Sequence, residues 1–151
     1  MTAWKDVEEA VPEFAERVRK IFDAHKHKTI ATLRANGAPR ISGIEAEFAD
    51  GELTFGSMTG ARKGADLHRD PRFALHSPSV DPPEGNPAGW AGDAKIAGRA
   101  VPAGAVEGDA EGELFRADIE EVVLTGLNAE ATMLVIETWT PGKGLWRVER
   151  K

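Results

Sequence analysis

The residues with the most chemistry in this chain lie in the stretch TFGSMTGARKGADLHRDPRF, residues 54–73. Arg62 and Lys63 stand side by side where the pattern opens a helix over 60–69, which must stop before Pro71. That end of a helix already carries partial positive charge, so two cations there are electrostatically mismatched. Free backbone N–H groups also point out of it. Ser57 or Thr59 is the expected N-cap, and both hydroxyls add donors. Gly56, Gly60 and Gly64 would let a ligand approach the backbone closely. A phosphate bound there would convert the mismatch into several charge-assisted hydrogen bonds. The alternative is a basic pair in solvent, partly neutralised by Asp66 and Asp70.

Other chemistries find less support. A nucleotide-hydrolase phosphate loop needs Gly-Lys-Ser/Thr in succession, and Gly60-Ala-Arg-Lys63-Gly64 does not supply it. A hydrolase nucleophile elbow needs a glycine two residues before its serine, whereas Gly56 adjoins Ser57. No dinucleotide fingerprint is present. His25 and His27 stand beside Lys26 and Lys28 and read as solvated rather than metal-ligating. His68 belongs on a helix surface. His76 alternates with Phe73 and Leu75, which could turn it away from the core and toward a cleft; a satisfied structural histidine is the favoured reading.

The elements that must position these residues follow from the pattern. Val11, Phe14, Val18, Ile21 and Phe22 predict an amphipathic helix over 7–25. Strands are expected at 28–34, 39–48, 52–57, 72–77, 94–101, 121–127, 131–139 and 145–150. Asn36-Gly37 and Asp50-Gly51 are hairpin turns between the first three. The segment 78–92 is a Pro/Gly loop around Trp90 that could act as a lid. The acidic segment 106–121 reads as a solvated, partly helical connection. The sum is a mainly β chain with helices, an antiparallel barrel in a single domain spanning 1–151.

Composition narrows the class. The 151 residues include 41% hydrophobic and 29% charged side chains, with a net charge of −6. That acidity argues against nucleic-acid and membrane surfaces as partners. The absence of cysteine removes disulfides, thiolate metal sites and a cysteine nucleophile. No tyrosine is present either. The N-terminal residues are charged throughout, and no apolar run approaches the ~20 residues of a membrane span, so a cytoplasmic protein is expected.

The stretch TLRANGAPRISGIEAEFADGELTFGSMTGARKGADLHRDPRFALHS, residues 32–77, resembles the pyridoxamine 5′-phosphate oxidase-like family of flavin and deazaflavin proteins. The closing segment LVIETWTPGKGLWRVER, residues 134–150, is similar to members of the same group. The resemblance implies a six-stranded antiparallel split β-barrel with an N-terminal helix, the FMN-binding split barrel. It also implies a homodimer with FMN at the interface, for which Trp139 and Trp146 are candidate contacts. Lys63 and Arg62 would hold the cofactor phosphate, with Ser57 beside them and Met58 packed near that end. Arg40, Ser42 and Gly43 would line the ribityl chain and ring. The expected activity is hydride transfer through FMN to or from a small-molecule substrate. A deazaflavin-dependent reductase and a non-catalytic flavin carrier are the alternatives, and haem, with His76 as its ligand, ranks last. Without a tyrosine, and with WRVERK in place of an Arg-Leu-x-Pro tail, pyridoxamine phosphate is a poor candidate substrate.

Overall fold

The computed structural model describes residues 1–106 and 109–151, side chains at 109–111 excepted. The elements in chain order are α1 (Trp4–Ala10), α2 (Pro12–Phe22), β1 (His27–Leu33), β2 (Pro39–Ala49), β3 (Glu52–Ser57), α3 (Arg62–Arg69) and β4 (Arg72–His76). After a short 3-10 turn at Pro87–Gly89 come β5 (Asp93–Val106), β6 (Asp109–Leu127), β7 (Leu134–Thr140) and β8 (Gly144–Arg150). Every ladder is antiparallel. The sheet order is β3-β2-β1-β4-β5-β6-β7-β8, and β3 also pairs with β6. That extra pairing closes the first six strands into the expected barrel, while β7 and β8 extend from the far half of β6.

Alternation fills the interior. Ile30, Leu53, Phe55, Leu75, Ile96, Phe115 and Ile119 point inward and are buried. One end is closed by α1 and α2, whose Trp4, Val7, Phe14, Val18 and Phe22 are buried. The rings of Trp4 and Phe22 lie 4.6 and 5.8 Å from that of Phe48 near the end of β2. Arg40 lies at the opposite end of the same strand, roughly 26 Å away at ~3.3 Å per residue, and there α3 takes over.

The structure corrects two expectations. The helix foreseen over 7–25 is two helices, because Pro12 opens α2 at its first turn and holds Val11 at φ −142°, ψ 68°, outside the helical region. The acidic segment 106–121 is not a helical connection: β5 runs to Val106 and β6 covers 109–127, with residues 107–108 outside the description. Phe115, Ala117 and Ile119 face the core, while Arg116, Asp118 and Glu120 alternate outward. The charged outer face masks a period of two. A register shift in the β5–β6 ladder falls between Ala97 and Gly98. There Gly98 is required, since a Cβ would lie 2.0 Å from the Asp118 carbonyl oxygen.

The barrel is split at one place. The β2–β3 ladder stops at Ala46–Phe55. Beyond it β2 continues along β1 as far as Pro39, and β3 continues along β6 as far as Ser57. The two strands part, and α3 bridges the opening: Asp66 reaches Thr32 and Arg40 on one lip, and Gly64 packs against Ser57 on the other.

Candidate functional site

A groove of about 600 Å³ lies over the split. Its walls come from Gly43–Glu47 of β2, Thr54–Ser57 of β3 with Met58, Lys63 of α3, and Val106, Gly112 and Leu114. Lys26, His27 and Lys28 close the end beside β1. This is the size and shape of a small-molecule cleft.

The start of α3 gives the groove its chemistry. Its N-cap is Ala61, which offers no side-chain hydrogen bond, and its first turn holds no acidic residue. Ser57 and Thr59 are therefore not the cap foreseen from the sequence. Among the described residues no side chain caps the leading N–H groups of the helix, at the position where its dipole is positive. Arg62 is exposed and Lys63 half-buried. Ser57 is buried, and a Cβ on Gly64 would come 2.8 Å from its Oγ, so only glycine leaves room for that hydroxyl.

Neither Asp66 nor Asp70 neutralises the basic pair. Asp66 is buried and turned inward, where Arg40 Nε donates to its Oδ2 at 2.7 Å, Thr32 Oγ1 to the same oxygen at 2.7 Å, and Arg69 to its Oδ1 at 2.8 Å. Burial pushes this carboxyl up, but the hydrogen bonds from Arg40, Thr32 and Arg69 outweigh it and hold the pKa at about 2. Asp70 is taken by Arg72, whose hydrogen bonds hold that carboxyl at about 2 as well. Among the described residues, Arg62 and Lys63 have no ion-pair partner.

Of the residues expected to bind cofactor, Gly43, Ser57, Met58 and Lys63 line the one groove. Arg62 stands at the head of α3 and points to solvent. Arg40 is committed to Asp66, and Ser42 lies on the face of β2 opposite to Gly43; neither lines the groove. Sequence reasoning missed Lys28, which shares the inward face of β1 with Ile30 and Thr32. It also missed Glu113, which pairs with His68 beside Gly64. Strand parity flags the first, while the second depended on reading residues 109–127 as a strand. Trp139 is buried within the chain and not available to a partner. Trp146 is partly exposed on β8, under the Lys143 ammonium.

A second groove of about 850 Å³ runs over the outer face of β1, β4 and β5. His76 lines it, as its alternation foretold, together with His25 and His27. No cluster of potential metal ligands occurs among the described residues, and no described helix is long and apolar enough to cross a membrane.

The chain belongs to the pyridoxamine 5′-phosphate oxidase family, whose model matches residues 14–139. No curated protein matches it. Among solved structures it is similar to a pyridoxamine 5′-phosphate oxidase-related, FMN-binding protein from Nostoc punctiforme. That match has 12% identity and a TM-score of 0.63, and covers 100% of this chain and 98% of the other. It is also similar to a heme-binding protein from Mycobacterium smegmatis (15% identity, TM-score 0.59, 89% and 86% covered). An F420 reductase matches at 15% identity and a TM-score of 0.51, with 67% and 91% covered. At these identities the likeness is one of fold.

The Asp66 cluster makes a prediction. Asp66→Asn leaves the Arg40 guanidinium without its charge partner and should cost about 3 kcal/mol, measured by urea unfolding at neutral pH. The wild-type protein should also lose stability as pH falls from about 4 toward 2. A carboxyl with a depressed folded pKa stabilises only while the folded state keeps it ionised. Asp66→Asn should lack that component of the acid transition. Identical acid profiles for the two proteins would show that the cluster does not hold α3 in the split.

Proposed function

We propose that the groove binds FMN and that the protein is a flavin-dependent oxidoreductase acting on a small molecule. The observation that carries this reading is the uncapped, acid-free start of α3 over a groove of about 600 Å³, with Lys63 and Ser57 at its lip. The phosphate would be held by Lys63, the leading N–H groups of α3 and the Ser57 hydroxyl, with Arg62 above them. The family and its FMN-binding structural neighbour support the same assignment. Bound flavin supplies the electron and hydride chemistry. The chain's own residues bind and orient it: Gly43, beside which a Cβ would meet open space, lets it lie close to the backbone, and Met58 covers the phosphate end. Glu45 and Glu47 in the same groove oppose a polyanionic tail, which favours FMN over a deazaflavin cofactor.

A groove open on one side calls for a second copy of the chain to complete it. Ile41, Ala31, Ala74 and Ala97 form one lateral row across β2, β1, β4 and β5. Ile41 is 76% exposed and Met58, at the groove lip, 74%. An apolar strip of this kind suits a two-fold interface in which the same patch serves both protomers. Ile41, rather than the buried Trp139, is the anchor we assign to that interface.

FMN added to apoprotein should give a saturable change in flavin fluorescence. Lys63→Ala should weaken it by about 1.5–3 kcal/mol, roughly ten- to hundredfold, through loss of charge-assisted hydrogen bonds. Lys20→Ala, which removes an exposed charge on α2 outside the groove, should change it little. Equal affinities for the two variants would refute the socket. By light scattering the protein should have twice the 16.3 kDa chain mass, and Ile41→Asp should halve it. A wild-type monomer at micromolar concentration would contradict the interface.

A further inference from the structure

We propose that Lys28 tunes the redox potential of the flavin groove, its buried ammonium favouring the reduced, negatively charged form of the bound ring. The proposal rests on the flavin reading above. Lys28 is only 6% exposed, yet it lines both the groove over the split and the groove on the outer face. A buried charge normally has a counter-charge or a full set of hydrogen bonds. Among the described residues Lys28 has no carboxylate within ion-pair distance. Its described hydrogen bond is the one Nζ donates to the Lys26 carbonyl at 3.0 Å. An ammonium carries three donors, so two remain for another acceptor. Lys26, its neighbour, behaves as a surface residue: its side chain is 74% exposed and faces Glu45 at 3.6 Å.

Position completes the argument. Lys28 pairs with Ile44 on the β2 lip, and Ser57 stands on the β3 lip across the opening. At least two strand spacings, roughly 10 Å or more across the split, separate the end of the groove that holds Lys28 from the phosphate socket. A flavin anchored by its phosphate therefore has its ring left for the Lys28 end. Reduction adds two electrons and one proton to the ring, drawn from the substrate or, in a titration, from an electrode and the buffer. The balance leaves one negative charge on the flavin. A fixed cation in a poorly solvated site stabilises that charge more than it would in water.

The test is a spectroelectrochemical titration of the FMN-loaded protein beside Lys28→Met, Lys28→Arg and Lys20→Met. Lys28→Met should lower the affinity for reduced relative to oxidised FMN by tenfold or more, a fall of about 30 mV for a two-electron couple. Lys28→Arg and Lys20→Met, the latter an exposed α2 residue outside both grooves, should stay within threefold of wild type. Lys28→Met should keep the wild-type thermal midpoint or exceed it, because it replaces a buried charge with an apolar chain of similar length. Lys28→Gln gives the same readout if Lys28→Met fails to hold FMN. Uncharged variants within threefold of wild type, or an equal shift in Lys28→Arg, would overturn the proposal. Wild-type protein that binds no FMN would instead overturn the flavin reading on which it rests.

Discussion

The clamp between Asp66 and its three donors is the interaction on which the site depends. Thr32 belongs to β1, Arg40 to β2, and Arg69 to the helix that carries the carboxylate. A single buried anion thus ties α3 to one lip of the split barrel, and Arg69 adds a second tie through the Leu33 carbonyl at 2.8 Å. Charge-assisted bonds of this length are directional, so they fix the helix rotation as well as its position. That rotation brings Gly64 against Ser57 and leaves the uncapped end of α3 over the groove.

The clamp also explains a charge pattern that looks wasteful in the sequence. Asp66 and Asp70 stand close enough along the chain to neutralise Arg62 and Lys63, but each is engaged elsewhere. Glu113, the described acid beside Gly64, is paired with His68. Among the described residues, Asp66, Asp70 and Glu113 are thus satisfied by other partners and leave Arg62 and Lys63 unneutralised. In a protein of net charge −6 this arrangement localises a positive site without making the surface basic.

Much of the fold was legible in the sequence because short-range signals agreed with tertiary packing. The Asn36-Gly37 and Asp50-Gly51 turns set β1, β2 and β3, and Pro71 ended α3 where expected. The break at Pro12 was readable from the same rule that governs any proline within a helical pattern. The first half of β6 was not, since its acids hide an inward row of Phe115, Ala117 and Ile119. In the groove, Ser57 and Lys63 were legible because a helix start is a local feature, whereas Gly43 and Met58 were expected from the resemblance. Arg40 was expected at the ribityl chain and ring from the resemblance, and its partner Asp66, 26 residues away, shows in no local pattern. Pairings of that kind depend on closure of the barrel, which no local pattern encodes. Lys28 was named only as a neighbour of His25 and His27, although strand parity turns it inward.

A phosphate socket at the head of α3 can be tested without altering the protein by comparing FMN with riboflavin. The two ligands share the ring and the ribityl chain and differ in the phosphate alone. Titrated into apoprotein and followed by flavin fluorescence, FMN should bind at least about 100-fold more tightly, a difference of about 3 kcal/mol. Equal affinities would show that the phosphate makes no contact at Ser57, Lys63 and the head of α3, and would contradict the account.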